Sequence, residues 1–316
     1  MNNTEHATKS VVGIDVAKDN LVLFIDSRRE HLTCPNTGKD LSRLAKRLKK
    51  LDPELIVLEA SGGYEKAAAA AFSAAHLPVA VVYPRRVRQF AHGLGLIAKN
   101  DEIDARLIAY YGRVAEIKPQ PRQTDELCGL RALTQRRTQL IEMHLAEQSR
   151  LDTAHQSIHS NIKQHISWIE RQILKIDGQI QTSIKADPHL NETDSRLRSV
   201  PGVGPVLSYT LITELPELGI LSNKRIASLV GVAPFPRESG RSNGKRFCKG
   251  GRNQVRRVLY MATVSATRFN PVIKAFYNNL CSKGKLKKVA LIASAHKFLS
   301  ILNSINKNHT LWLHSP

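Results

Sequence analysis

Between Ser239 and Pro316 the chain has no aspartate and no glutamate, yet it places 15 lysines and arginines there. Seventy-eight residues without an acid hold no internal partners for that charge. Over the whole sequence 47 Lys+Arg stand against 27 Asp+Glu, a formal net charge of +20. A nucleic-acid backbone is the expected counter-charge, and a merely solvated basic face is the alternative. Long apolar runs are also missing. Nothing approaches the ~18 unbroken apolar residues of a membrane span, and the basic residues are not confined to one short amphipathic helix, so a membrane partner is not expected. The first ten residues, MNNTEHATKS, lack the apolar segment of a secretory leader. Cysteine is scarce: Cys34, Cys128, Cys248 and Cys281 are scattered and form no CxxC pair. That excludes the usual zinc and disulfide frameworks and fits a reducing cytoplasm, with association to the nucleoid. What remains is ordinary for a globular protein: 316 residues, 42% of them hydrophobic, enough for a sizeable core and about two domains.

The first third alternates strand and helix patterns. Residues 11–26 read as two strands around a turn at Lys18-Asp19-Asn20, with a third strand near His31 to Cys34. A basic amphipathic helix is predicted over 38–51. A continuously apolar strand, Glu54 to Glu59, suits a buried central position. The Gly62-Gly63 pair then turns the chain into an alanine-rich helix, Glu65 to Ala75. A strand at Pro78 to Tyr83 and helices at about Arg85 to Gly93 and Asp101 to Ala115 follow. This order predicts a mixed α/β sheet whose first three strands are antiparallel. Pro119 to Pro121 marks its end, so the first domain is 1–122.

Residues 123–188 read as long helices. Isoleucines at 158, 162, 166, 169, 173, 176, 180 and 184 recur at close to heptad spacing. Two helices joined near Ser157 to Ser160 would make an antiparallel coiled-coil arm, its seam closed within one chain or against another subunit. Asp187-Pro188 stops the second helix. The last region, 189–316, is mainly helical. Its helix, Pro201-Gly202-Val203-Gly204 turn and helix have the form of a helix-hairpin-helix. There Gly202 and Gly204 expose backbone amides to a phosphate, or else merely supply the dihedrals of a tight corner. Helices are expected at Lys224 to Val230, Asn253 to Arg268, Val272 to Cys281 and Lys288 to Ile305. A Gly-, Arg- and Ser-rich loop at Pro234 to Gly251 interrupts them.

Acids are few, so their positions carry weight. Val11-Val12-Gly13-Ile14-Asp15 and Leu55-Ile56-Val57-Leu58-Glu59 are apolar runs that each end in a carboxylate. Asp101 and Asp104 stand three apart at a helix start, so both can face one way. Phosphodiester chemistry with Mg²⁺ needs carboxylates that converge within a few ångströms. In ribonuclease-H-like folds the two strands are central neighbours with the helix against them. Taken singly, each acid also reads as a turn or helix cap. All four in this order, in so basic a chain, favour the metal site.

These stretches also carry a resemblance. GIDVAKD, LEASGGY and KNDEIDARLIA are followed by SVPGVGPVLSYTLITEL, LVGVAPFPRESGRSNGK and GRNQVRRVLYMATVSA. They look like the DEDD transposases of the insertion-sequence family numbered one hundred and ten, which is similar to the pilin-gene-inverting recombinases. The match runs along nearly the whole chain in the family's order. It implies a RuvC-like N-terminal domain, a coiled-coil arm and a C-terminal transposase domain. The family's acidic tetrad falls on Asp15, Glu59, Asp101 and Asp104. Its catalytic serine falls on Ser239, which would attack DNA and become covalently joined to it. The resemblance further implies double-stranded DNA partners, a structured guide RNA in some members, and dimers or tetramers.

From the residues alone, Ser239 is one hydroxyl in a basic loop, and Ser242 competes with it. Arg237, Arg241, Lys245, Arg246, Lys249, Arg252 and Arg256 would hold the strand, although of Arg256 and its neighbour Arg257 on the next helix one would face nucleic acid and the other only snorkel. The reading is thus a Mg²⁺-dependent DNA recombinase. Its rivals are a structure-selective nuclease that uses metal-activated water and a non-enzymatic nucleic-acid-binding protein. A sugar-kinase-like ATPase shares the GID strand but would need a second phosphate-binding segment, which is not evident.

Overall fold

Alternation decides the first unit. Residues 10–96, 98, 100–120, 125–239 and 242–312 are described by the computed structural model, with backbone alone at 125, 236–239 and 242–246. The chain folds as two compact units, 1–123 and 124–316. In the first, β1 (Val11–Val16), β2 (Asn20–Ile25) and β3 (Glu30–Pro35) form an antiparallel meander. Helix α1 (Gly38–Leu51) leads to β4 (Leu55–Glu59), and α2 (Glu65–Ala74) to β5 (Val79–Val82). The sheet order is β3-β2-β1-β4-β5, with β4 parallel to both its neighbours. Helices α3 (Pro84–Gly93) and α4 (Asp101–Val114) complete the unit. The three-strand start and the helix and strand positions agree with the sequence pattern to within one or two residues.

Successive strand residues point to opposite faces. Val12, Ile14, Ile56 and Leu58 pack with Leu41, Leu44 and Leu48 of α1 and Phe72 of α2. Val11, Leu55, Val57, Ala80 and Val82 pack with Val87 and Ala91 of α3 and Ala105, Ile108 and Ala109 of α4. Both faces are therefore covered. The central strands carry unbroken apolar runs for that reason.

The second unit opens with α5 (Asp125–Thr153) and α6 (His159–Ala186). Arg137 pairs with Asp177, His144 with Glu170 and His165 with Glu147, so the two helices run antiparallel. Ile162, Ile169, Ile180 and Ile184 are buried along α6, whereas Ile158 sits exposed in the connection. One end of the pair is seated on the rest of the unit, where Leu130, Ile180 and Ile184 pack with Tyr209. Helices α7 (Pro188–Arg198), α8 (Pro205–Glu214), α9 (Asn223–Val230), α10 (Asn253–Phe269), α11 (Pro271–Ser282) and α12 (Lys287–Asn308) build the main core. Asp187 ends α6 and caps α7 at once: its carboxylate accepts from the His189 and Leu190 amides.

The segment expected as an open loop is different. Within it, β6 (Phe235–Ser239) and β7 (Ser242–Phe247) pair as an antiparallel ribbon. Backbone pairing supplies order that the Gly-, Arg- and Ser-rich composition hides. Its base is pinned: a β-carbon on Gly231 would lie 2.2 Å from the Gly250 carbonyl oxygen. Among the described residues, no helix is long and apolar enough to cross a membrane.

Candidate active site

Strands β1 and β4 are paired in parallel with Ile14 level with Leu58. The next residue on each is the acid, so Asp15 and Glu59 stand side by side where the strands end. Both are half-buried. By alternation Asp15 shares the face of Val11 and Gly13, and Glu59 that of Leu55 and Val57. That is the face α4 covers.

The direction of α4 follows from its contacts. A β-carbon on Gly13 would lie 2.2 Å from the Ala105 carbonyl oxygen and 2.3 Å from the Ala109 nitrogen. One on Gly112 would meet Val57, Val11 and Leu55. As α4 proceeds from Ala105 to Gly112 it therefore moves back toward the strand beginnings. Its first turn points to the strand ends. Two strand residues span about 7 Å and one helix residue about 1.5 Å, which sets the first turn of α4 level with Asp15. Asp101 and Asp104 lie in that turn, the first exposed and the second half-buried. The helix cap is Asn100, whose side chain accepts from the Ile103 amide at 2.7 Å. Asp101 is thereby relieved of the capping role the sequence left open for it. Three acids in the first turn also suit the positive end of the helix dipole.

The four carboxylates share one end of one face without closing on a point. Among the described residues, no three His, Cys, Asp or Glu side chains are placed so that they could hold a metal ion. Asp15 and Glu59 are both engaged in interactions in this arrangement. Four carboxylates, if brought together, would offer the hard-oxygen chemistry that suits Mg²⁺.

Two supporting residues escaped the sequence reading. Glu65 accepts from the Ser61 and Gly63 amides, both at 2.9 Å, and so holds the turn that leaves Glu59. Asn36 donates to the Ala17 and Tyr64 carbonyls at 3.1 and 3.2 Å and ties the end of β1 to the start of α2. A Gly-Gly turn followed by Glu two residues later was a readable signal for the first. Nothing in the sequence marked the second.

In the second unit, Ser239 pairs with Ser242 across the β6–β7 ribbon, with Glu238 opposite Asn243 and Arg237 opposite Gly244. Gly240 and Arg241, between the serines, lie outside the described residues, as do the side chains of Arg237, Ser239, Lys245 and Arg246. Lys249 is exposed. Arg252 is committed elsewhere: its guanidinium meets Glu217 at 2.5 and 2.6 Å and donates to the Glu214 carbonyl at 2.9 Å. Arg256 donates to the Gly250 carbonyl at 2.8 Å and to Asn253. Arg257, its neighbour, is exposed. At the α7–α8 corner, Gly202 has φ +97° and a β-carbon there would lie 2.7 Å from the Ala266 side chain. Its glycine is accounted for by packing on α10. Gly204, the cap of α8, has open space where a side chain would go.

Comparison with known proteins decides the family. A family model described as "Transposase" matches residues 12–159, and one described as "Transposase IS116/IS110/IS902 family" matches 194–278. The pilin gene-inverting protein of Moraxella lacunata is 30% identical over 308 residues, covering 93% of this chain and 94% of that one. The chain belongs to the IS110-type transposases and recombinases. Family membership makes it a DNA transposition and recombination protein. A 44.8 kDa insertion element IS116 protein of Streptomyces clavuligerus is 28% identical over 153 residues, 47% of this chain and 38% of its own. T. thermophilus RuvC, solved with a Holliday junction substrate, is 19% identical with a TM-score of 0.26, over 35% of this chain and 99% of its own.

Proposed function

We propose that this protein cuts and exchanges DNA strands at the ends of its insertion element, with Asp15, Glu59, Asp101 and Asp104 as the acids that hold Mg²⁺ and Ser239 as the nucleophile. One observation carries the reading. The ends of β1 and β4 and the first turn of α4 bring four scarce acids to the same end of the same sheet face. Bound there, divalent metal would orient the reacting oxygens and offset the charge that develops on them. The carboxylates would turn toward one another to hold it.

In the proposed step the Ser239 hydroxyl oxygen forms a bond to phosphorus while the bond to the leaving strand's oxygen breaks. The serine proton passes to solvent, and the leaving oxygen takes up a proton in turn. The phosphoserine link conserves the energy of the broken bond, so a second strand end reverses the step without a further cofactor. Lys249 and Arg257, with Arg237, Lys245 and Arg246 on the ribbon, supply charge for the DNA backbone. A guide RNA that selects donor and target, and an oligomer in which one subunit's acids serve another's serine, complete the proposal.

The test is a cleavage reaction stopped in denaturant. The parent leaves protein attached to a DNA end, and Ser239→Ala leaves none and does not cut. Cleavage at an unchanged rate by Ser239→Ala would remove the serine and favour water as the attacking group.

A further inference from the structure

The end of the sheet that carries the acids also carries two exposed tyrosines, which the reaction above does not use. Tyr64, at the start of α2, is 49% exposed, and Tyr83, just past β5, is 60% exposed. Aromatic residues make up only 5% of the sequence, so two exposed together at this edge are conspicuous. Their placement is fixed by backbone. Asn36 ties the Tyr64 carbonyl to the Ala17 carbonyl, which sets Tyr64 beside the end of β1. On the other side Glu59 is level with Val82, and the Ala60 amide donates to the Val82 carbonyl at 3.0 Å. Tyr83 is the next residue. One strand spacing and one residue rise put its backbone about 6 Å from that of Glu59. Along the edge the order is Tyr64 by β1, Glu59 on β4, Tyr83 after β5.

Cations continue the edge. Arg85 and Arg86 are exposed and Arg88 half-buried on α3, and among the described residues none of the three side chains makes a hydrogen bond or ion pair. The first turn of α3 has no acid, so the helix dipole opposes these cations instead of offsetting them. An external anion relieves that.

Exposed aromatic rings followed along one edge by arginines with no side-chain partner suit an unpaired nucleic-acid strand. Bases stack on the rings and the backbone tracks the cations. Intact duplex keeps its bases stacked on each other and offers the rings nothing. We infer that Tyr64 and Tyr83 stack on unpaired bases of the DNA strand at the cleavage site, with Arg85 and Arg86 on its phosphates. This holds open the strand that is cut and rests on the reading of Asp15 and Glu59 as the cutting acids. The tyrosines are positioning residues.

The experiment measures binding of the full-length chain without divalent metal, so that no cleavage enters the result. The probes are a forked DNA with an unpaired arm bearing 2-aminopurine and a blunt duplex of the same sequence. Tyr83→Ala and Tyr64→Ala are each expected to weaken fork binding about fivefold or more and to restore the fluorescence of the stacked base. Blunt-duplex binding should stay as in the parent. Tyr83→Phe should bind the fork as the parent does, because the ring is what matters. The double change Arg85→Ala with Arg86→Ala should weaken both probes and flatten the salt dependence by about two charges. Parent-like fork binding by both alanine variants, with unchanged melting temperatures, overturns the inference. So does a Tyr83→Phe loss as large as that of Tyr83→Ala. A shift in self-association without a change in fork binding would make the patch a protein contact. Tighter binding of an RNA strand with the same dependence on Tyr83 would assign it to RNA. Failure here leaves the covalent serine adduct untouched, and loss of that adduct leaves the stacking measurement untouched.

Discussion

Gly13 and Ala105 touch backbone to backbone. Strand β1 carries Asp15 two residues beyond that contact and α4 carries Asp104 one residue before it, so this single approach sets the spacing of two of the four acids. Gly13→Ala would drive a methyl group into main-chain atoms that no side-chain rotation can move aside. We expect a loss of about 3 kcal/mol in stability, read as a lowered melting temperature, and a larger fall in cleavage than the folded fraction accounts for. A variant with parent stability and activity would show that α4 can stand off from the sheet.

The acids are tested one at a time. Asp15→Asn, Glu59→Gln, Asp101→Asn and Asp104→Asn each keep the side-chain shape and remove the charge. Each should lower cleavage by about a hundredfold or more while DNA affinity is kept, and none should cut in the presence of a chelator. A variant that still cuts at the parent rate takes its acid out of the proposed site.

Glu217 and Arg252 predict a pH response. Burial alone would push the Glu217 carboxyl up, but the hydrogen bonds and charge of Arg252 outweigh it and hold it below the usual carboxylate range. A carboxyl depressed in the folded state contributes stability above its unfolded pKa, and that contribution is lost as the pH falls through the folded one. Stability should therefore decline on acidification below about pH 4 to 5, and Glu217→Gln should remove that part of the decline. Arg252→Ala leaves a half-buried carboxylate unpaired and should cost about 2 kcal/mol by denaturant unfolding.

Arg256 and Arg257 are adjacent and should separate cleanly. Arg257→Ala is expected to weaken DNA binding across sequences and lower the salt slope by about one, with stability unchanged. Arg256→Ala loses the bond to the Gly250 carbonyl and should destabilise the base of the β6–β7 ribbon. Equal effects on stability and binding from both changes would contradict this division.

Much of this architecture was legible because long apolar runs and caps speak locally. Leu55 to Glu59 reads as a buried strand without knowledge of its neighbours, and Asp187-Pro188 reads as a helix boundary. The ribbon at Phe235 to Phe247 was not legible: its order comes from cross-strand pairing, while glycine, arginine and serine give no apolar alternation. The role of Arg252 was hidden for a related reason, since its partner Glu217 is 35 positions away in sequence. The acids stand out as candidates because they are scarce and, at Asp15 and Glu59, end apolar runs. Asn36 was not, because its task is to join two carbonyls that only the fold brings near.

The helix pair α5–α6 is seated at one end, where Leu130, Ile180 and Ile184 meet Tyr209. From Leu130 to Thr153 is about 35 Å of helix. A tilt of about 10° at the Tyr209 seat would carry the far connection through about 6 Å, a little more than the spacing between two paired strands. A slight repacking around one tyrosine ring would thus be geared up into a displacement large enough to make or break contact with a neighbouring molecule.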